Sequence, residues 1–258
     1  MRIEGRGGQE ITDRASWLKF GRPASARHWA DGRSAKCLAE SWLGDGPGEL
    51  SALLATAPGG RLDDFAPTRA IAEAQTRFDR FRGGARNHDL LVIGDCSGGR
   101  TVVGIEGKAD ETFGDPIAKQ LQVIDARVAS GQPSKGRDRI EGLVAALGPA
   151  GSTEKEVADL RYQLFTAAAG TLAAAAEHGA DQAVLCVQVF ATEKTDPAKR
   201  DANAADLRAF VKTVLGLEPG NDGSWIAGPA FVPGKGLIPS TIPLWVAFLE
   251  TEVARPSP

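Results

Sequence analysis

His88-Asp89-Leu-Leu-Val-Ile-Gly94 and, six residues on, Thr101-Val-Val-Gly-Ile-Glu106-Gly-Lys108 read as the two arms of one β-hairpin, and the fold follows from that reading. A turn centred on Ser97 and Gly98 sets Asp89 opposite Glu106. Directly opposed residues of an antiparallel pair point to one face of the sheet, and Lys108, two residues beyond Glu106, shares it. The arms are apolar on both faces (Leu90, Leu91, Val92, Ile93; Val102, Val103, Ile105), so they are expected to be central strands covered on both sides. Two carboxylates and a lysine then converge at one end of the hairpin. Such a set can hold a divalent cation and activate a water.

Working downstream, Asp115-Pro116 starts a helix expected to reach about Ala129, before Gly131. The basic loop Lys135-Gly-Arg-Asp-Arg139 leads into a short helix ending near Leu147. The longest helix is predicted over 154–178, where Val157, Leu160, Leu164, Ala168, Leu172 and Ala175 form one stripe and Gly179 stops it. A fully buried strand follows over 183–190. The order hairpin, helices, strand implies an α/β fold in which a helical crossover returns this strand beside the hairpin. The expected architecture is a mixed central sheet with helices on both faces. Beyond it come a polar loop over 192–204, a helix over 205–215, a strand over 242–250 interrupted by Pro243, and a frayed tail after Val253.

Upstream, the first thirty residues read as an irregular lead-in packed by Trp17 and Trp29. Ser34 caps a short helix through Trp42, and Gly44-Asp-Gly-Pro47 starts another to about Ala57. The stretch 69–81 mixes helical and alternating patterns, and is read as an edge strand from near Glu73. No internal repeat is visible. The chain is expected to form one domain over 1–258, with 1–60 a mainly helical N-terminal extension and 219–258 a C-terminal extension packing on the core.

The 258 residues are 42% hydrophobic and 24% charged, which excludes neither an enzyme nor a binding module. Cys37, Cys96 and Cys186 are few, odd in number and far apart, so a reducing compartment is expected and no disulfide framework. The N-terminal residues lack an apolar signal core, and no run approaches the roughly 20 apolar residues that span a bilayer. A cytoplasmic protein with no membrane partner is expected. The net charge of −3 gives no general attraction to phosphate, so a nucleic acid must be held by a local basic patch.

Asp89 and Glu106 supply hard oxygen ligands suited to Mg²⁺ or Mn²⁺, and the three scattered histidines have no zinc spacing. Beside two carboxylates Lys108 stays charged, and serves as an electrostatic stabiliser more naturally than as a free base. Glu73 is a candidate extra ligand if its strand borders the hairpin. Arg33, at a helix N-terminus, and Arg77, Arg80, Arg82 and Arg86, ahead of Asp89, are candidate phosphate contacts, with Lys135, Arg137 and Arg139 in a loop that borders the same face. Each has an ordinary reading as a solvated or locally paired charge. Gly94-Asp-Cys-Ser-Gly-Gly99 is a turn, and no Gly-Lys-Ser/Thr follows to make a phosphate loop.

An Asp on one strand and Glu-x-Lys at the end of the next resembles the PD-(D/E)xK nuclease superfamily, the restriction endonuclease-like fold. The stretches Gly32-Arg-Ser-Ala-Lys-Cys-Leu-Ala-Glu-Ser-Trp42, Asn87-His-Asp89-Leu, Glu106-Gly-Lys-Ala-Asp-Glu-Thr-Phe-Gly114 and Arg161-Tyr-Gln-Leu164 also resemble an uncharacterised bacterial family with that fold, over residues 28–215. The resemblance implies metal-dependent hydrolysis of a phosphodiester in DNA or, less so, RNA. Asp89 and Glu106 would be metal ligands and Lys108 the catalytic lysine. Gln163 would face the site from the following helix, although the Tyr that exonuclease-type members carry a turn away is missing: Tyr162 is adjacent instead. Arg161 joins Arg33 and Arg86 as a candidate phosphate contact. Many such nucleases are dimers, so a homodimer is a possible state. The rival expectation is a catalytically silent member that binds a nucleic acid or a protein, with a defence system as one setting for it.

Overall fold

The computed structural model describes residues 1–23, 25, 28–81, 83–149 and 151–253. Its centre is the hairpin of β3 (Arg86–Cys96) and β4 (Gly99–Lys108). The register runs from Cys96↔Gly99 at the Ser97-Gly98 turn to Leu90↔Ile105. The apolar runs make both strands interior. β2 (Ala66–Thr76) pairs antiparallel with β3, and β5 (Gln182–Ala191) pairs parallel with β4. Between β4 and β5 the chain crosses over through α4 (Ile117–Ala129), α5 (Gly136–Leu147) and α6 (Tyr162–Glu177). β7 (Leu244–Glu252) lies parallel to β5, with β6 (Trp225–Ala230) outside it. β1 (Arg2–Gly5) closes the other edge, so the seven-stranded mixed sheet runs β1-β2-β3-β4-β5-β7-β6.

Helices cover both faces. On one, α5, α6 and α7 (Pro197–Leu215) pack Leu143, Leu164, Phe165, Leu172 and Phe210 against Leu91, Val102, Leu185, Val187 and Phe248. On the other, α1 (Arg14–Phe20), α2 (Ser34–Trp42) and α3 (Gly46–Leu54) pack Trp17, Leu38, Trp42 and Leu50 against Leu90, Val92, Val103, Ile105 and Cys186. The alanines of α6 bring it close to the sheet, and Gly104 of β4 has no room for a side chain. A Cβ there would lie 2.3 Å from Thr171 Oγ1. Among the described residues no helix is long and apolar enough to cross a membrane. All three cysteines are free, and burial pushes the Cys37 and Cys186 thiols up to about 11 and about 12.

Several elements differ from expectation. The lead-in is ordered: Arg2–Gly5 adds a parallel strand to β2, and α1 is started by an Asp13/Ser16 capping box. β2 therefore begins at Ala66 and is interior. Residues 154–161 are not helical, because they lie against the start of α4: the N–H groups of Ile117 and Ala118 donate to the carbonyls of Leu160 and Ala158, at 2.9 and 2.8 Å. α6 begins only at Tyr162, and α7 is the longest helix. α7 extends into the expected polar loop because Asp196 Oδ1 accepts from Ala198 N and Pro197 occupies the first turn. The 219–258 segment does not simply pack on the core, since it supplies β7 inside the sheet and β6 at its edge. Pro229, which cannot donate to a ladder, is tolerated in β6 for that reason. The tail beyond Val253 lies outside the described residues.

One irregularity positions the site. Ala70 and Ala72 face the α1–α3 side together with Leu90 and Val92. Ala74 instead packs on the α6 side, and its partner His88 lies against Gly104 and Gly170 there. Both strands thus reverse their alternation at Glu73 and Asp89. The switch in β2 is made by Glu73 itself, at φ +55°.

Candidate active site

At the end of β4 the two carboxylate oxygens of Glu106 are divided among three donors. Lys108 Nζ reaches Oε1 at 2.9 Å, Gln163 Nε2 donates to the same oxygen, and Arg86 Nη2 donates to Oε2. Lys108 Nζ also donates to Gln163 Oε1 at 3.3 Å and stands 5.1 Å from the centroid of the Phe113 ring. Glu106 and Lys108 are each 4% exposed. Asp89 lies one step beyond the last pair of the hairpin ladder, where its Oδ2 accepts the Gly107 N–H at 2.8 Å. Asp89, Glu106, Lys108 and Gln163 are thus brought together.

These four, with Glu73 and Glu111, line a cavity of about 230 Å³. Its other wall comes from the N-terminal segment: Trp17 of α1, then Gly21, Pro23 and His28, then Ser34, Ala35 and Leu38 of α2. Ser34 Oγ donates to Glu111, which ties the start of α2 to the loop after β4.

Charge in the cluster is held by mutual pairing. Burial works against the Glu106 carboxylate, but Arg86 and Lys108 outweigh it and lower its pKa. Burial likewise works against the Lys108 ammonium, and Glu106 and Asp89 outweigh it, so Lys108 stays cationic. For Asp89 the balance falls the other way: burial first, then the Glu106 charge, raises its carboxyl well above the ordinary range. Burial also raises Glu73, against the hydrogen bond from Asn87 Nδ2.

A divalent cation finds donors of the right kind but only two of them. Among the described residues no group of three His, Cys, Asp or Glu is disposed to hold a metal ion, so the expected trio of Asp89, Glu106 and Glu73 does not form. Glu73 is turned to Asn87 instead. Mg²⁺ is commonly held by one or two carboxylates with water completing its shell, and the pair Asp89 and Glu106 meets that requirement in kind. Among the described residues no hydrogen bond reaches Asp89 Oδ1.

Arg77 and Arg80 are exposed, and the other described candidates for phosphate contact are paired within the protein. Arg33 pairs with Asp110, at 2.8 and 3.0 Å to its two oxygens. Arg161 precedes α6 and fastens it, through Asp206 and the Gly114 carbonyl, both at 2.8 Å. Arg86 serves Glu106. Lys135, Arg137 and Arg139 pair with Asp138, Asp125 with Glu154, and Asp79. Arg82 lies outside the described residues. Sequence reasoning missed Ser34, Glu111 and His28 as cavity residues, and no local pattern marks them.

A larger cavity, about 750 Å³, lies where α2 and α3 meet the ends of β5 and β7. Its lining includes Asp31, Glu40, Asp45, Glu49, Glu193 and Glu252 against Arg14 and Lys194, a balance unfavourable to a phosphate. The smaller cavity is the one lined by Asp89, Glu106 and Lys108. No curated protein and no solved structure matches the chain. Residues 10–252 match the family model described as a domain of unknown function, DUF6946, and the chain belongs to that family.

Proposed function

We propose that the protein is a metal-dependent nuclease with a restriction endonuclease-like core, hydrolysing phosphodiester bonds of DNA at Asp89, Glu106 and Lys108. The observation that carries this reading is the buried Lys108 ammonium, held between Glu106 Oε1 and Gln163 Oε1 in the wall of a cavity that Asp89 shares. A buried ion pair is weak support for stability and is often replaceable by apolar residues at no cost. Its presence in a cavity therefore points to chemistry. The order of elements supports the same reading: a β2-β3-β4 meander, a helical crossover, and β5 parallel to β4.

Asp89 and Glu106 would hold Mg²⁺ or Mn²⁺, which supplies electrophilic polarisation of a phosphoryl oxygen. Lys108 places a fixed positive charge beside the phosphoryl group as negative charge grows on it. Gln163 holds that ammonium in place while its own amide donates to Glu106. The Gly107 N–H fixes Asp89 through Oδ2 and would leave its other oxygen open to a cation. Water adds to phosphorus and gives up a proton to solvent, the bond to the leaving sugar oxygen breaks, and that oxygen takes a proton from solvent.

The test is incubation of labelled single- and double-stranded DNA, with an RNA arm, in Mg²⁺, Mn²⁺ or chelator. Metal-dependent cleavage lost in Lys108→Ala, with circular dichroism unchanged, is expected. Cleavage that survives in that variant refutes the assignment. One observation favours a second reading, a silent fold that binds nucleic acid or protein: Arg86 balances Glu106 without any metal. Absence of both cleavage and Mn²⁺ binding would decide for it.

A further inference from the structure

The donors on Glu106 are not equally anchored. Lys108 has a second partner in Gln163, and Gln163 has a second partner in Lys108. Arg86 is held to the cluster through Nη2 on Glu106 Oε2, and its Nε is buried with no hydrogen-bond partner. The Arg86 side chain is 12% exposed. Its stem lies on Gly170 of α6, where a Cβ would come within 2.7 Å of Arg86 Cγ, so the helix is shaped to admit it. Arginine is ordinarily chosen where several donors of its fork are used together. Here one donor is used and a buried one is left unsatisfied, which is the pattern of a group held in one position and better satisfied in another.

Charge gives the reason for two positions. The Glu106 carboxylate already carries both cations, Lys108 on one oxygen and Arg86 on the other. A divalent cation entering this set adds two positive charges at short range to a guanidinium on the same carboxylate. Glu106 Oε2 cannot serve both, since like charges on one buried oxygen repel strongly.

Resting on the metal-dependent reading above, we propose that Arg86 is a displaceable counter-ion. It holds Glu106 Oε2 in the metal-free protein and leaves that oxygen when a divalent cation binds. Arg86 is in this account a positioning residue: it holds the Glu106 carboxylate in orientation before the cation arrives. Its effect is read in cation affinity.

The experiment is calorimetric titration of Mn²⁺ into the full chain, for wild type, Arg86→Gln and Arg86→Lys, with melting followed in chelator and in Mn²⁺. Removing the competing guanidinium is expected to tighten Mn²⁺ binding at least tenfold in Arg86→Gln. Arg86→Lys, which keeps the charge but not the reach, is expected to fall between the two. The Arg86→Gln protein is also expected to melt lower in chelator and to recover more in Mn²⁺ than wild type does. If Arg86→Gln does not fold in chelator, Arg86→Lys carries the comparison. Wild type that binds Mn²⁺ with variants equal or weaker overturns the displacement and leaves the metal-dependent reading intact. Binding by none of the three overturns both. Binding only by the variants supports the displacement in its strongest form.

Discussion

Gly104→Ala tests the contact that seats α6 on the sheet. The new methyl would meet Thr171 Oγ1 at 2.3 Å and His88 Nδ1 at 3.0 Å, both buried, so α6 or β4 must move. Overpacking of this kind costs about 1–3 kcal/mol. Thr171→Ala alone removes a hydroxyl that donates to the Ala167 carbonyl within the helix, at 2.9 Å. That loss is worth about 1 kcal/mol. If the clash is with the hydroxyl, Thr171→Ala relieves it, and the double variant is expected to be at least about 1 kcal/mol more stable than the sum of the single losses predicts. Urea unfolding with a constant m-value measures all four corners of the cycle. Additivity to within about 0.5 kcal/mol would show that α6 is not seated on Gly104 as described.

Burial pushes the His88 imidazole down to about 3 from 6.5, with Arg86 assisting and Glu106 opposing. Its contribution to stability is therefore complete above pH 6.5 and lost as pH falls towards 3, because only the unfolded chain takes up the proton in that window. Wild type is expected to lose about 1.4 kcal/mol per pH unit more than His88→Gln on acidification between pH 6 and 4.5. Equal slopes would place a charged imidazole in the folded state. At Glu73, φ +55° disfavours any side chain. Glu73→Gly is expected to be about 1 kcal/mol more stable than Glu73→Ala, the reverse of the usual order in a strand, and calorimetric melting that ranks Ala first removes the strain.

The hairpin was legible because its apolar runs are two-sided and its turn carries Ser-Gly-Gly, so period and register followed without tertiary information. The α4–α6 crossover followed from β4 and β5 both being central. The start of α6 did not, because Val157 and Leu160 continue the helical stripe while the Ala158 and Leu160 carbonyls accept from the start of α4, a competition no local pattern reveals. β1 was missed because four residues gain strand character only by lying on β2. The Asp196-Pro197 start of α7 repeats the Asp115-Pro116 signal and could have been read; the polar composition around it concealed it. Asp89, Glu106 and Lys108 came from strand period alone. Arg86 could not be placed correctly that way, since strict alternation puts residue 86 on the face opposite residue 89.

The reversal at Glu73 and Asp89 resolves that placement and accounts for the cluster. In an unbroken β3, an even-numbered Arg86 would point with Leu90 into the α1–α3 layer, and Glu106 would face α6 with Lys108 as its sole cation. Because β2 and β3 change face together, Arg86 and His88 come to the α6 side and Asp89 is left at the switch, bonded to the Gly107 amide. An uninterrupted ladder with apolar residues at 86 and 106 would satisfy the core with less strain and no desolvated charge. The alternation of β2 and β3 reverses at Glu73 and Asp89, and that reversal coincides with the buried ionic cluster. Departures from self-consistency of that kind are where functional constraint is expected to override stability. The irregularity is thus the device that leaves the Asp89 carboxyl in the cavity wall and brings the Arg86 guanidinium onto Glu106.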